Sequence, residues 1–329
     1  MMGETDTISW LLPVRDGARW LGAAVASALA ECGPGDEVIV VDDGSRDDPG
    51  AALPADPRLR LIRQPPLGIA PALERGRLEA RGALLARLDA DDVALPGRIA
   101  AQREALKDPR LAAVGGRARM IRDDGTVPTG MQAYVDWVNG LGDLHAALLV
   151  ESPLFHPAVT LRASAVGAVG GWRDGDFPED YDLWLRLAGA GWGLANVKRE
   201  VVTLRDRDDR LTRADPRYRR AAFTALKRDW AAAHWLPAGA RVCVWGAGKG
   251  GKPWIRDLLA RGYEVSVVDI RHGGTRQGLP ILPTEAVADL DVDYLIAAVG
   301  ARGARAIIRE RIAALRPGWI EGAHWRAVT

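Results

Sequence analysis

Three carboxylates lie within four residues, at Asp89, Asp91 and Asp92, and they directly follow an apolar stretch of the chain. Carboxylates this close repel one another unless a cation lies between them. Hard divalent ions take such oxygens, and Mg²⁺ is usually held by one or two carboxylates together with substrate phosphates. A solvated acidic turn is the alternative interpretation, so residues elsewhere in the chain must decide whether this segment binds a cation.

Two more acidic clusters lie at the ends of predicted elements. Asp42 and Asp43 follow an apolar strand and precede a Gly-Ser pair, and Glu179 and Asp180 begin a predicted helix directly after Pro178. Both clusters also have structural explanations, because Asp, Gly and Ser form turns and acids stabilise the first turn of a helix. Their positions in the fold therefore decide between a functional and a structural role.

Alternating strands and helices must position these residues. Apolar runs and helical periodicity predict, in chain order, a strand at 8–14, a helix at 18–30, strands at 37–41 and 59–62, a helix at 69–81 and a strand at 84–88. This alternation predicts an α/β domain with a mostly parallel sheet and helices on both faces. Ligands of such sheets bind beyond the carboxyl ends of the strands. Pro13, Asp43 and Asp89 are therefore expected to converge there.

The composition is that of a soluble globular protein. A chain of 329 residues suits two domains, and its formal net charge of +1 argues against nucleic acid or an anionic membrane as a partner. The first residues are acidic, unlike a secretory signal, and no apolar run reaches the roughly 18 residues that span a bilayer. Cys32 and Cys243 are the only cysteines, which excludes a disulfide framework and a cysteine-based zinc site. We therefore expect a cytoplasmic protein.

A second α/β pattern begins at Arg241. Gly246, Gly248 and Gly251 form G-x-G-x-x-G between a predicted strand and a predicted helix, and Asp269 ends the next strand. This is a dinucleotide-binding pattern in its usual context. The 89 residues that remain are about half of a full dinucleotide-binding domain. If this small domain binds a ligand, these three glycines and Asp269 are expected to contact it.

The linker between the two patterns is predicted at 237–239, which gives domains at 1–236 and 240–329. Residues 278–282 and 295–300 resemble the small N-terminal Rossmann-like domain of sugar acyltransferases, which helps those enzymes to bind a nucleotide-sugar. A ligand-binding or acceptor-presenting role and a purely structural or dimerising role both stay open for this second domain.

Four motifs of the first domain resemble, in their order, the signature of family 2 glycosyltransferases with the GT-A fold. They are Pro-Val-Arg-Asp at 13–16, Val-Val-Asp-Asp-Gly-Ser at 40–45, Arg-Leu-Asp-Ala-Asp-Asp at 87–92 and Glu-Asp-Tyr-Asp-Leu-Trp at 179–184. The resemblance spans roughly residues 7–235 and implies an inverting enzyme that uses Mg²⁺ or Mn²⁺. Such an enzyme moves a sugar from a nucleoside diphosphate sugar to a hydroxyl of a saccharide or another acceptor, in glycan or polysaccharide biosynthesis.

The resemblance also implies roles for individual residues. Asp91 is implied as a direct metal ligand, and Asp89 as a second ligand or a partner of the ribose or of metal-bound water. Asp92 is equally well explained as the cap of a helix that begins near Pro96. The residues expected to contact the donor are Pro13, Val14, Arg15, Asp43, Arg87, Asp89 and His156.

Asp180 is implied as the general base that takes the proton of the acceptor hydroxyl as it attacks the anomeric carbon. Glu179 is the alternative base, and Asp182 is expected on the surface of the helix. His156 lies in a segment that the family places near the donor phosphates, but an isolated histidine is equally often a structural residue.

Two departures from the family limit the prediction. The Gln-x-x-Arg-Trp motif and the membrane helices of processive relatives are absent, which favours a single transfer, and we expect Arg205, Arg210 and Arg213 to form a solvated basic face. Relatives commonly carry an Asn before the glycine that corresponds to Gly68, and this chain does not. The base of the donor is therefore open.

Two other functions are compatible with parts of the sequence. An NAD-dependent oxidoreductase would use the segment 246–269, but no catalytic Tyr-Lys pair or second half-domain follows it. A non-catalytic nucleotide-sugar-binding protein is the second alternative, and the presence of both Asp91 and Asp180 argues against it.

Overall fold

The computed structural model describes residues 7–126 and 128–329. Two compact units are present. The first comprises the chain up to Leu144 together with Pro153–Arg219, and the second comprises His145–Ser152 together with Arg220–Thr329. No helix in the described part of the chain combines the length and the hydrophobicity that a membrane span requires.

The elements follow the predicted alternation. The strands are β1 (Ile8–Val14), β2 (Glu37–Asp43), β3 (Leu59–Gln64), β4 (Leu84–Arg87), β5 (Val93–Ala94), β6 (Leu111–Ile121), β7 (Thr160–Arg162), β8 (Gly193–Arg205), β9 (Arg241–Trp245), β10 (Glu264–Val268), β11 (Thr275–Arg276), β12 (Leu279–Leu282), β13 (Tyr294–Ala297) and β14 (Trp325–Ala327). The helices are α1 (Ala18–Glu31), α2 (Ile69–Glu79), α3 (Arg98–Ala105), α4 (Thr129–Asn139), α5 (Leu144–Ala147), α6 (Ala163–Ala168), α7 (Glu179–Gly189), α8 (Leu211–Ala214), α9 (Arg220–His234), α10 (Gly251–Ala260) and α11 (Ala304–Leu315). Short 3₁₀ turns lie at Pro49–Ala52, His156–Ala158, Pro216–Tyr218 and Thr284–Ala288.

The sheet of the first unit has a parallel core. Among the described residues eight strands form it, in the order β3-β2-β1-β4-β7-β6-β8-β5. β1 pairs in parallel with β2 and β4, and β2 pairs in parallel with β3, whereas β7 is antiparallel to β4 and β6. The carboxyl ends of β1 to β4 therefore lie along one edge of the sheet, where the predicted site residues converge.

Helices cover both faces of this parallel core, as predicted. Successive side chains of a strand point to opposite faces. Trp10 and Leu12 of β1 are buried in one cluster with Leu21 of α1. Leu11 points to the other face, where its Cδ2 lies 3.2 Å from the position of a Cβ on Gly76 of α2. Burial on both faces explains why β1 and β2 are almost continuously apolar.

The second unit contains a smaller, mainly parallel sheet. Six strands of the described chain form it, in the order β11-β12-β10-β9-β13-β14, and only the short pair β11 and β12 is antiparallel. Cys243 and Trp245 of β9 and Leu295 of β13 lie in its apolar core. The predicted second α/β domain is present, while its resemblance to the acyltransferase domain remains a prediction.

The boundary between the units differs from the predicted one at 236–240, because α9 packs within the second unit. Lys227 of α9 is buried, and its Nζ donates to the carbonyl oxygens of Val150 at 2.7 Å and Val328 at 3.3 Å. These contacts also bring the short segment His145–Ser152 into the second unit. Sequence spacing could not reveal this, because the partners lie far from Lys227 along the chain.

Candidate active site

The three clustered carboxylates lie in a turn that follows β4. One oxygen from each of Asp89, Asp91 and Asp92 lies within 4.8 Å of the others. Asp92 is 3% exposed; its Oδ1 accepts a hydrogen bond from Arg205 N at 2.8 Å, and its Oδ2 has no hydrogen-bond partner among the described residues. The predicted capping of a helix by Asp92 is wrong, because α3 begins after Gly97 and the Glu31 carboxylate accepts the N–H groups of Gly97 at 2.8 Å and Ile99 at 3.0 Å.

Burial and repulsion from neighbouring carboxylates raise the pKa of two residues of this cluster, Asp91 and Asp92. Burial, followed by the charges of Asp89 and Asp91, raises the pKa of Asp92 well above its usual range. Burial and the charge of Asp89 also raise the pKa of Asp91, against the opposing charge of Arg207. A divalent cation between the carboxylates would relieve this repulsion and give the buried Asp92 oxygen a partner. The three residues therefore fit a hard divalent cation.

Two arginines hold this turn: Arg205 is the last residue of β8, and Arg207 follows shortly after it. The sequence pattern did not identify Arg207 as a site residue. Arg207 Nε donates to Asp91 Oδ2 at 2.8 Å, and its guanidinium carbon lies 4.1 Å from the centre of the Trp20 ring. Arg205 Nε lies 3.3 Å from the Asp91 carbonyl oxygen, in addition to the backbone bond from Arg205 to Asp92. No local pattern marks Arg207, because its carboxylate partner lies 116 residues away.

The predicted solvated basic face is wrong in part. Arg213 is exposed, but Arg210 and Arg213 both lie against the buried carboxylate of Asp206. That carboxylate lies 2.8 Å from Arg213, 3.2 Å from Arg122 and 3.7 Å from Arg210. The Arg205 side chain is only 20% exposed and pairs with Asp123. This ion-pair network borders an open pocket of about 320 Å³. The residues that line it are Arg19, Arg122, Asp123, Asp124, Asp206, Arg207, Asp208 and Asp209.

Asp43, the last residue of β2, organises the loop after β3. Its Oδ1 accepts hydrogen bonds from Gln64 Nε2 at 2.8 Å and Leu67 N at 2.9 Å, and its Oδ2 accepts one from Gly68 N at 2.9 Å. Arg15 Nη1 lies 3.9 Å from the same Oδ2. Gly68 has a φ of 106°, a conformation that glycine adopts without strain. The structure thus brings Arg15 and Asp43 together, while their contact with a donor remains a prediction.

The loops after β1 and β2 are also tied together. Pro13 and Val14 are the last two residues of β1. Asp16 N then donates to Ser45 Oγ at 3.1 Å, and the Asp16 carboxylate accepts from the backbone N–H of Arg46 at 2.7 Å. These bonds preorganise the sheet edge on which the predicted donor residues lie.

A buried arginine that the sequence did not reveal supports this edge. Arg98 is fully buried, and its guanidinium donates to the carbonyl oxygens of Arg87 at 2.7 Å and Pro157 at 2.9 Å, and to Gln102 Oε1 at 3.2 Å. Burial lowers the pKa of Arg98 to about 9. Arg87 is itself 2% exposed and forms an ion pair with Asp89. Arg98 therefore joins the end of β4 to the turn that carries His156.

His156 has contacts to the protein at both ring nitrogens. Its Nε2 accepts a hydrogen bond from Trp172 Nε1 at 3.2 Å, and its Nδ1 lies 3.5 Å from Glu179 Oε1. A ring nitrogen that accepts from an indole N–H carries no proton, so the proton lies on Nδ1 and faces Glu179. Burial and the charge of Arg87 lower the pKa of His156 and keep the ring neutral. These contacts favour the structural role over direct contact with a phosphate.

Glu179 and Asp180 begin α7 but differ in proton affinity. Glu179 is 2% exposed, and its Oε2 accepts a hydrogen bond from Tyr218 Oη at 2.7 Å. Burial opposes its charge, but the contacts with His156 and Tyr218 outweigh burial and lower the pKa of Glu179. Burial, followed by the charge of Glu179, raises the pKa of the half-buried Asp180 to about 8. Near neutral pH, Asp180 is therefore the carboxylate of this pair that exchanges a proton.

The expected surface position of Asp182 is wrong. Asp182 is 1% exposed and forms ion pairs with Arg173 and Arg186, of which the Arg186 Nε contact is 2.8 Å. Arg186 in turn donates to the carbonyl oxygen of Gly171 at 2.8 Å. Asp182 thus fastens α7 to the preceding loop and keeps the Glu179–Asp180 pair in place.

The glycine-rich loop of the second unit lies between β9 and α10, as predicted. A Cβ on Gly251 would overlap the carbonyl oxygen of Gly246, so these two glycines allow the helix to pack closely on the strand. Asp269 Oδ2 accepts a hydrogen bond from Ala247 N at 2.7 Å and fixes the loop. Gly248 is exposed, and no described atom lies within 4 Å of a Cβ placed there. A ligand for this loop remains a prediction.

Comparison with known proteins connects the first unit to one family. Residues 9–160 match the family described as glycosyl transferase family 2. The amylovoran biosynthesis glycosyltransferase AmsE of Erwinia amylovora is 25% identical over 179 residues, which cover 53% of this chain and 66% of that protein. An uncharacterized glycosyltransferase of Haemophilus influenzae is 26% identical over 200 residues, or 59% of this chain and 73% of that protein. The glycine-rich loop lies outside the family match.

The architecture agrees with this relationship. The structure of Staphylococcus aureus TarS 1–349 in complex with UDP-GlcNAc aligns with a TM-score of 0.51 and 14% identity, covering 69% of this chain and 66% of that chain. This likeness confirms the predicted GT-A type of fold. Over residues 9–160, the chain is therefore similar to glycosyl transferase family 2.

Proposed function

We propose that this protein is an inverting, metal-dependent glycosyltransferase that moves a sugar from a nucleoside diphosphate sugar to an acceptor hydroxyl. One observation carries the proposal. The buried Arg87 acts electrostatically both on the carboxylate cluster that fits a metal and on Asp180, the proposed proton acceptor. Arg87 pairs with Asp89 of the cluster, and its charge partly offsets the burial and the charge of Glu179 that raise the pKa of Asp180. Both groups therefore lie within electrostatic reach of the same side chain.

The cluster is suited to the leaving group. Asp91 and Asp89 would hold Mg²⁺ or Mn²⁺, and a bound divalent cation would neutralise charge on the departing nucleoside diphosphate. Arg207 holds Asp91 in position through its 2.8 Å contact, as residues around metal ligands commonly do. Asp92 is tied to the backbone of Arg205 and orients the turn.

Asp180 is suited to activate the acceptor. In the proposed step, the acceptor oxygen bonds to the anomeric carbon as the bond from that carbon to the diphosphate oxygen breaks, and the hydroxyl proton passes to Asp180. Attack opposite to the leaving group inverts the anomeric configuration. The buried and hydrogen-bonded Glu179 fixes the start of α7 and does not take the proton itself.

The name of AmsE places that relative in the biosynthesis of amylovoran. This supports glycan biosynthesis as the process in which the proposed transfer takes place.

The direct test of the proposed function is to incubate the chain with a panel of nucleoside diphosphate sugars, in Mn²⁺ or in EDTA, and to measure nucleoside diphosphate release. We expect Mn²⁺-dependent release, with NMR showing inverted anomeric configuration in the product. Stabilisation by donors with no release under any condition would instead support a non-catalytic binding protein.

The charge of Glu179 should determine the pH at which kcat/KM falls on the acid side of its profile. Asp180 must be ionised to accept a proton, so kcat/KM should fall as the pH drops through its pKa. Glu179→Gln removes a neighbouring negative charge, lowers the pKa of Asp180 and should move this acid limb down by about one pH unit. Asp176→Asn, which removes an exposed acid in the loop before α7 and leaves Glu179 and its contacts intact, serves as the control with an unmoved limb. A limb that stays in place in Glu179→Gln would contradict the assignment of Asp180.

The donor site is proposed to lie entirely in the first unit. Gly248→Glu tests this in the full chain, because the position is exposed and has room for a side chain. We expect the donor Kd, measured by calorimetry with Mn²⁺, to change less than about twofold, because no proposed donor contact is altered. A loss of donor binding by a normally folded variant would place the glycine-rich loop in the donor site.

A further inference from the structure

The carboxylate of Asp206 is the buried centre of a group of arginines that follows β8. Its side chain is fully buried, and its backbone N–H donates to the carbonyl oxygen of Ile121, the last residue of β6, at 2.8 Å. Arg213 Nη2 donates to Oδ1 at 2.8 Å, and Arg122 Nη1 donates to Oδ2 at 3.2 Å. A buried charge is tolerated only with such partners, so these contacts fix the position of the carboxylate. The proposed transfer does not use this residue.

Arg210, the third arginine of this group, is held more loosely than the other two. Its Nη1 lies 3.7 Å from Asp206 Oδ1, beyond hydrogen-bond distance, and this buried nitrogen has no hydrogen-bond partner among the described residues. Arg122 and Arg213 each have a second carboxylate, that of Asp208, at 2.9 Å and 3.6 Å. In the described part of the chain, Asp206 is the only carboxylate within 4.0 Å of the Arg210 side chain. Arg210 therefore depends on the charge of Asp206 for its position.

The carboxylates that fit a metal lie within electrostatic reach of Arg210. Burial raises the pKa of both Asp91 and Asp92, and the charge of Arg210 is among the influences that oppose this rise. A guanidinium that paired with either carboxylate would neutralise a charge on which a divalent cation depends. Arg207 differs from Arg210, because its Nε donates a 2.8 Å hydrogen bond that orients Asp91. The charge of Arg210 brings no such orientation and only opposes a bound cation.

We propose that Asp206 is a positioning residue that keeps Arg210 away from the cation position between Asp89, Asp91 and Asp92. The inference rests on the metal site of the proposed function and adds a residue that controls the affinity of this site for its ion. Without the charge of Asp206, Arg210 would pair with a carboxylate of the cluster, and a divalent cation would have to displace it. The ion would then bind more weakly, although every proposed metal ligand is still present.

Calorimetric titration of the full chain with Mn²⁺ tests this role. Asp206→Asn keeps the size of the side chain but removes its charge, and we expect the Kd for Mn²⁺ to rise about tenfold. Asp36→Asn is the matched control and should leave the Kd unchanged, because Asp36 is also buried and paired with an arginine, Arg103, but precedes β2 at the opposite edge of the sheet. An unchanged Kd in Asp206→Asn would overturn the inference. Absence of Mn²⁺ binding by the unaltered protein, with or without UDP or GDP, would instead overturn the proposed function.

Removal of Arg210 separates this positioning role from a merely structural one. In the double variant Asp206→Asn/Arg210→Gln no released guanidinium remains, so we expect the Kd for Mn²⁺ to return to within about threefold of normal. In Arg210→Gln alone, a charge that opposes the cation is lost, and the Kd should not rise. This single variant also tests the inference if Asp206→Asn fails to fold, because Arg210 Nη1 makes no hydrogen bond to the described residues. A raised Kd in Arg210→Gln, or a double variant that binds Mn²⁺ as weakly as Asp206→Asn, would overturn the inference.

Discussion

Asp180→Asn should lower kcat by roughly 10²–10⁴-fold while the affinity for the donor stays close to that of the unaltered protein. The amide keeps the size of the side chain and its ability to accept the N–H of Tyr181, which lies 2.7 Å from Asp180 Oδ1. It cannot take a proton from the acceptor. Turnover is measured as nucleoside diphosphate release with saturating acceptor, and donor binding by calorimetry.

The control for this substitution is Asp176→Asn, an exposed acid in the loop before α7 that should leave kcat unchanged. Asp180→Asn is not expected to destabilise the protein. Burial disfavours the charged form of Asp180, so the neutral amide should not lower Tm. Near-normal turnover in Asp180→Asn would show that another group, with Glu179 as the first candidate, is the base.

Asp91→Ala should abolish the part of donor binding that depends on metal. Its carboxylate is part of a cluster whose oxygens lie within 4.8 Å of one another, and hard divalent ions bind through such oxygens. Without it, the diphosphate charge would not be neutralised. Calorimetric titration of UDP in Mn²⁺ and in EDTA should give the same weak binding for this variant.

A second substitution separates loss of the ligand from loss of the arginine contact. Arg207→Ala removes the 2.8 Å partner of Asp91 but leaves the carboxylates, so we expect Mn²⁺ affinity to fall by roughly 10–100-fold rather than vanish. Asp108→Ala, which breaks an ion pair with Arg110, is the neutral control. Donor affinity that is still raised by Mn²⁺ to the normal extent in Asp91→Ala would exclude Asp91 as the metal ligand.

Much of the site could be predicted from the sequence because its parts are local. Strand β1 and helix α1 follow directly from apolar runs and helical spacing, and parallel strands must end at one edge of their sheet. The sequence could therefore place three acidic groups at the ends of strands or helices: residues 42–43, 89–92 and 179–180. Each of these inferences depends only on residues that are neighbours in the chain.

The sequence determined which carboxylates gather at the edge of the sheet, and the tertiary structure decided what each of them does. Asp91 meets Arg207 across 116 residues and Glu179 meets Tyr218 across 39, so no local pattern contains these partners. These contacts also decide protonation of two adjacent acids with similar ordinary values. Burial opposes the charge of Glu179, but its contacts with His156 and Tyr218 outweigh burial and lower its pKa. Burial and the charge of Glu179 raise the pKa of Asp180. The location of α9 was also decided by packing, since periodicity shows that a helix forms but not which core its apolar face covers.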